Sequence, residues 1–113
     1  MVLYRLWAER LEDGDGKWFP KDFYDMDSAL AFAGKNTSGF VRGKYIIDVY
    51  RNNGKNVRLV GQVFRINRRL IFREIKRKDF KRDIIYSLGT NGKIKEPIGE
   101  ISMENAMEIW NKV

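Results

Sequence analysis

The stretch YIIDVYRNNGKNVRLVGQVF, residues 45–64, determines the fold prediction for this chain. Two runs rich in β-branched and aromatic residues, 45–50 and 57–64, flank the pair Asn53-Gly54. Asn-Gly is a favoured centre of a two-residue hairpin turn, because both turn positions require positive φ. The stretch therefore predicts a β-hairpin, and the rest of the chain can be compared with it.

Turns of this kind occur three times at equal spacing. The triplets Asp15-Gly16-Lys17, Asn53-Gly54-Lys55 and Asn91-Gly92-Lys93 place their glycines 38 residues apart. A shift of 38 residues aligns the second hairpin with the third at six identical positions out of 18. This periodicity is typical of internal duplication, although hairpins favour Asn-Gly and Asp-Gly whatever their ancestry. It predicts three candidate units, 1–39, 40–78 and 79–113.

Helical spacing of apolar residues follows the first and third hairpins. The i, i+3, i+4, i+7 pattern is formed by Met26, Ala29, Leu30 and Ala33, and again by Met103, Ala106, Met107 and Trp110. Asp25 or Asp27 is expected to cap the first of these helices, and Gly34 to end it. Asp22, Asp25 and Asp27 form an acidic cluster around the predicted start of this helix. Carboxylates stabilise the exposed backbone N–H groups of a first helical turn, so the cluster needs no catalytic role.

The segment Ile66–Lys78 occupies the helix position of the middle unit. The repeat favours a helix there, whereas Leu70-Ile71-Phe72 fits a strand as well. The sequence thus predicts an α+β fold in which antiparallel β-hairpins carry helices on one face, with three tandem ββα units. The whole chain, 1–113, is expected to be a single domain.

Several chemistries are excluded by composition. The chain has no histidine and no cysteine, which removes the commonest general base, thiol nucleophiles and most zinc sites. None of its Gly-Lys pairs has the spacing of a phosphate-binding P-loop. No apolar run approaches the length of a membrane span, and no signal peptide is evident. We therefore expect a cytoplasmic, non-enzymatic protein without cofactor, catalytic residues or metal.

The formal net charge of +7 is concentrated in one segment. Nine basic and two acidic residues lie between positions 65 and 82, and the rest of the chain is balanced. The basic residues are Arg65, Arg68, Arg69, Arg73, Lys76, Arg77, Lys78, Lys81 and Arg82. Lysine and arginine gain affinity for phosphate backbones by releasing counterions. The segment predicts a cationic stripe that contacts nucleic acid or a nucleoprotein.

Two other functions remain open at this stage. The same stripe could dock on an acidic protein surface, as in an inhibitor or assembly factor. Asp48 with Glu74 and Lys76 loosely resembles the metal-binding pattern of many nucleases, in which carboxylates hold Mg²⁺. This pattern is common by chance, so a nuclease is the remote alternative. The oligomeric state is not predicted.

Overall fold

The computed structural model describes residues 1–10, 14–37, 45–66, 69–75 and 82–102. They form seven strands and one helix. In chain order these elements are β1 (Leu3–Arg10), β2 (Gly16–Trp18), α1 (Met26–Asn36), β3 (Tyr45–Asn52), β4 (Val57–Ile66), β5 (Arg69–Glu74), β6 (Arg82–Leu88) and β7 (Ile94–Ser102).

The strands make one antiparallel sheet in the order β2-β1-β3-β4-β5-β6-β7. From β3 onward, each strand pairs with the next one in the chain. β1 pairs with β2 on one side and, along its full length, with β3 on the other, from Leu3 opposite Asn52 to Arg10 opposite Tyr45. β2 is thus the edge strand, and after it the chain leaves the sheet to form α1 before it returns as β3. The antiparallel sheet of hairpins expected from the sequence is thus present.

The helix α1 forms where the apolar spacing predicts it. Asp25 is its N-cap, and its carboxylate accepts a hydrogen bond from the backbone N–H of Ser28 at 2.8 Å. The helix buries Ala29, Leu30 and Ala33. Gly34 was expected to end the helix but lies inside it, because the helix continues to Asn36 before Thr37 caps it. The glycine is needed there for packing, since an added Cβ would lie 2.8 Å from Leu70 Cδ2.

Alternation along the strands gives the sheet two distinct faces. The helix face packs against α1 through Leu6, Ala8, Ile47, Val49, Val63, Leu70, Phe72 and Leu88. The second face points the other way and includes the buried residues Ile46, Phe64, Ile71 and Ile85. Consecutive residues of β5 are therefore buried on opposite faces, which explains the uninterrupted apolar run at 70–72.

The prediction of three ββα units is not confirmed, and the helix favoured for the middle unit is wrong where it can be tested. β4 extends to Ile66 and β5 occupies Arg69–Glu74, so this part of the segment is a strand. Leu70, Ile71 and Phe72 are all buried, so this strand carries apolar side chains on both faces of the sheet. Residues 67–68 and 76–78 lie outside the described residues, as does the helix predicted from Met103.

The turns agree with the sequence in position but not in length. Gly54 and Gly92 have φ of 91° and 84°, as their turns require. The loops between strands hold four residues, 53–56, and five residues, 89–93, instead of two. In the first hairpin the positive φ of 72° belongs to Gly14, while Gly16 begins β2. Within the described ranges, no helix is long and apolar enough to cross a membrane.

Candidate functional site

Two arginines face each other directly across the β3–β4 hairpin. Arg51 pairs with Arg58 in the strand register, and Arg51 also lies opposite Tyr4 of β1. Arg51 is two residues after the core residue Val49, so both arginines lie on the helix face. Like charges placed directly opposite each other destabilise a sheet unless a counter-charge is near. Within the part of the chain that the structure describes, neither guanidinium forms a hydrogen bond or ion pair.

The arginine pair borders a cleft of about 450 Å³ at this end of the helix face. Its other lining residues are Tyr4, Met26, Val60, Phe72, Glu74, Ile75 and Ile94. Six of the nine lining residues are apolar or aromatic, and the other three are two cations and one carboxylate, so the cleft surface is divided about equally between polar and apolar groups. A cleft that combines apolar side chains with a few charged groups is a candidate for a ligand site.

An irregularity in β4 and a hydrogen bond to the end of β5 form one wall of the cleft. The register shifts between Val49 and Tyr50, which leaves Val60 without a directly opposite partner. The carbonyl of Val60 accepts a hydrogen bond from the backbone N–H of Ile75 at 3.1 Å. This bond fixes Ile75 beside the cleft, one residue after the end of β5.

The opposite wall is formed by the start of α1 and the loop that joins β6 to β7. Lys93 Nζ is hydrogen-bonded to the Asp27 carboxylate, and this contact raises the pKa of Lys93 above its usual value. Gly92 packs so closely on the helix that an added Cβ would lie 1.9 Å from the carbonyl oxygen of Asp27. The docked loop places Ile94 at the cleft, facing Met26 at the first position of the helix.

The acidic cluster at the helix start is engaged in structural contacts. Asp25 caps α1, and the two hydrogen bonds from Ser28 lower the pKa of this carboxyl below its usual value. Asp22 pairs with Arg5, whose Nε lies 3.0 Å from its Oδ1. Asp27 binds Lys93. The capping role expected from the sequence is confirmed for Asp25, and the three carboxylates do not converge on one point.

The described members of the cationic stripe predicted at 65–82 lie on both faces of the sheet. Arg65 lies on the helix face, where its Nε donates to Thr37 Oγ1 at 3.0 Å. Arg69 and Arg73 lie on the second face, and of these Arg69 is exposed. Arg82 opens β6, and the structure describes only its backbone. The remaining five stripe residues, Arg68, Lys76, Arg77, Lys78 and Lys81, lie outside the described residues.

Arg73 belongs to a buried polar network on the second face. Its side chain is only 4 % exposed, and it pairs with Asp83, itself 7 % exposed. Arg73 Nε donates to Asp83 Oδ2 at 2.7 Å, and Nη1 donates to Gln62 Oε1 at 3.1 Å. Gln62 Nε2 in turn donates to Asp48 Oδ1 at 2.7 Å. The guanidinium is thus occupied inside the fold, and we do not assign it a contact with a ligand.

The carboxylates of the nuclease-like pattern lie on opposite sides of the sheet. Asp48 belongs to the network on the second face, where burial raises the pKa of its carboxyl. Glu74 lines the cleft on the helix face. The two cannot bind one metal ion together, and Lys76 is not among the described residues. Over the described ranges, no group of three or more acidic side chains could hold a metal ion.

An aromatic cluster lies on the second face near the β2 edge. The ring of Trp18, 45 % exposed, is 5.1 Å from Trp7 and 5.2 Å from Tyr50, measured between centroids. Burial raises the pKa of Tyr50, and the nearby charges of Asp48 and Glu9 raise it further. The Arg5 guanidinium lies 6.0 Å from the centroid of the Trp18 ring, so charges of both signs surround this cluster.

The search for runs of charge could not find Arg51 and Arg58, because seven positions separate them along the chain. The pairing register of the hairpin could have identified the two arginines as neighbours. A four-residue loop at 53–56 places Asn52 opposite Val57, and the next pair outward is Arg51 with Arg58.

Comparison of the chain with protein-family models, curated proteins and solved structures found no match. The function must therefore be inferred from the geometry of the site itself.

Proposed function

We propose that this protein is a small, non-enzymatic nucleic-acid-binding module that contacts phosphates through Arg51 and Arg58. The observation that carries the proposal is their direct opposition on neighbouring strands, with no ion pair to either guanidinium among the described residues. Arginine presents a planar fork of donors that matches phosphate oxygens and can bind them in pairs. A polyanion would supply the negative charge that relieves the repulsion between the two side chains.

The charge of the rest of the molecule supports the same partner. The basic segment 65–82 carries the whole net charge of +7, so its field is not diluted elsewhere. Ile75 lines the cleft and directly precedes Lys76 in the chain. Three consecutive basic residues of the segment, Lys76-Arg77-Lys78, thus follow directly in the chain after a residue of the cleft. Such a field attracts polyanions at long range and raises the rate of association.

A fluorescence-anisotropy titration with labelled single- and double-stranded DNA and RNA tests the proposal. We expect salt-dependent binding, with affinity that falls on the order of a thousandfold between roughly 50 and 200 mM salt. Replacing both arginines in the double variant Arg51→Gln/Arg58→Gln should weaken binding about tenfold or more. It should also reduce the slope of log K against log salt by about two, one for each phosphate that the variant no longer binds.

The matched control removes the same charge at a different place. Lys17 and Lys35 are exposed and do not line the cleft. The double variant Lys17→Gln/Lys35→Gln should therefore retain nearly all of the affinity. Equal losses in the two double variants would show that net charge alone attracts the nucleic acid. No binding at the lower salt would contradict the proposal as a whole.

The arginine geometry also supports a second candidate, an acidic protein partner. A guanidinium fork binds a carboxylate as well as it binds a phosphate, and the apolar lining of the cleft would suit a side chain of a peptide. Such an inhibitor or assembly module would capture its partner in a complex that survives nuclease treatment. The Arg51→Gln/Arg58→Gln variant should then fail to retain that protein, whereas binding to free nucleic acid would be absent from the start.

A further inference from the structure

We propose that the cleft holds one unpaired nucleobase of a single strand whose adjoining phosphates bind Arg51 and Arg58. This inference rests on the proposed function and specifies which form of nucleic acid the site accepts. The cleft and the arginine pair are adjacent, so one nucleotide and its backbone can contact both. Such a site can accept any base.

The lining of the cleft suits the faces of a planar heterocycle. Tyr4 contributes a half-buried aromatic ring, and Met26, Val60, Ile75 and Ile94 contribute aliphatic surface. Phe72 also lines the cleft but is only 1 % exposed, so it offers almost no ring surface to a ligand. Every nucleobase has an apolar π-face that gains free energy from contact with such groups, whatever its hydrogen-bonding edge. A volume of about 450 Å³ lies within the range of ordinary small-ligand pockets.

The charges around the cleft separate the base from the phosphates. Glu74 is half-buried on the cleft wall, and entry into the cleft removes a group from water, which costs far more for a charged phosphate than for a neutral base. Arg58 is exposed and Arg51 is half-buried, so their guanidinium groups can reach a backbone that remains in solvent. This arrangement favours a neutral base inside and a charged backbone outside.

The cleft is held by fixed elements and does not need to be assembled by the ligand. The loop 89–93 is fastened to α1 by the contact of Lys93 with Asp27 and by the close packing of Gly92. Bases in a duplex are paired and stacked, and they enter such a site only after being flipped out at a cost of several kcal/mol. The site should therefore prefer single strands to duplexes.

The experiment compares two strands of equal length and charge. One is a labelled 12-residue oligothymidylate, and the other is a 12-residue strand of abasic tetrahydrofuran phosphates. If a base enters the cleft, the base-bearing strand should bind about tenfold more tightly, since contact with one base contributes on the order of 1.4 kcal/mol. Its blunt duplex with oligoadenylate should bind more weakly than the single strand.

Two variants locate the base within the molecule. Ile94 lines the cleft and is 40 % exposed, so Ile94→Ala removes apolar contact without changing the charge. It should weaken binding of oligothymidylate about threefold and leave binding of the abasic strand unchanged. Val57 is 64 % exposed and does not line the cleft. Val57→Ala is therefore the matched control and should change neither affinity.

The outcomes separate this inference from the proposed function. Equal affinities for the base-bearing and abasic strands would overturn the inference, while a steep salt dependence would leave phosphate binding in place. A base effect that Ile94→Ala does not reduce would place the base elsewhere and would also overturn it. Absence of binding to either strand would remove both proposals.

Discussion

At the scale of single residues, the most consequential arginine for stability is Arg73. Its pair with Asp83 is buried, and removing one partner of such a pair leaves an uncompensated charge in the interior. We expect Arg73→Ala to lower the free energy of unfolding by about 3–5 kcal/mol. Arg69→Ala, at an exposed position on the same strand and face, should change it by about 0.5 kcal/mol or less. Urea denaturation followed by circular dichroism measures both.

A double variant distinguishes the net contribution of the Arg73–Asp83 pair to stability from the destabilisation caused by removing only one partner. Arg73→Met/Asp83→Leu replaces the two charges with apolar groups of similar size, and such replacements are often neutral or stabilising. It should therefore be more stable than Arg73→Ala. If Arg73→Ala were no less stable than Arg69→Ala, the buried network would not exist in solution.

The sequence alone could not separate these two arginines. Arg69 and Arg73 belong to the same basic run, and composition assigns them the same role. The difference arises because β6 lies alongside β5 only from Ile71 to Glu74, so that Arg73 meets Asp83 from β6 while Arg69 lies before this pairing begins. The partners of a buried charge come from distant parts of the chain, and local patterns do not reveal them.

At the scale of elements, two glycines of similar backbone conformation have different roles. Gly54 and Gly92 both have positive φ, but an added Cβ meets nothing within 4 Å at Gly54 and meets the backbone of α1 at Gly92. We expect Gly54→Ala to cost about 1–2 kcal/mol, the penalty of the left-handed conformation alone. Gly92→Ala should cost about 3 kcal/mol or more, because the loop must also move away from the helix.

Gly92→Ala should also change the candidate site, because the loop 89–93 precedes Ile94 of the cleft. Displacement of residues 89–93 would move Ile94 away from Met26 and widen the cleft. Thermal unfolding of the two glycine variants measures the difference in stability. Equal losses would show that the loop does not dock on α1.

The local sequence was sufficient to predict α1 and the positions of the turns. The helix follows from one amphipathic stripe and a cap at Asp25, and both depend only on neighbouring residues. The middle ββα unit could not be predicted in the same way, because Leu70-Ile71-Phe72 has no periodicity that distinguishes a doubly buried strand from a helix. The candidate cleft also escaped prediction, since its residues come from several strands, the start of α1 and the residue that follows β5.

At the scale of the whole molecule, positive charge is used in two ways. Arg73 is neutralised inside the sheet, whereas Arg51 and Arg58 lie at the end of the helix face without a described ion pair. The first use fixes β5 against β6, and the second leaves a site that an anion can occupy. Proteins commonly place strained or uncompensated groups where they bind ligands, and this contrast supports the cleft as the functional end of the molecule.

The topology also predicts the order in which the sheet forms. Strands β3 to β7 pair with sequence neighbours, whereas β1 must find β3 across the whole of β2 and α1. Closing that longer loop costs more entropy, so the pairing of β1 should form after the folding transition state.

Leu6 of β1 and Val63 of β4 are both fully buried on the helix face. We expect Leu6→Ala mainly to accelerate unfolding, with a φ-value of about 0.2 or less, and Val63→Ala to slow folding, with a φ-value of about 0.5 or more. Stopped-flow folding and unfolding rates across a denaturant series provide both values. Similar φ-values at the two positions would show that β1 is already paired in the transition state.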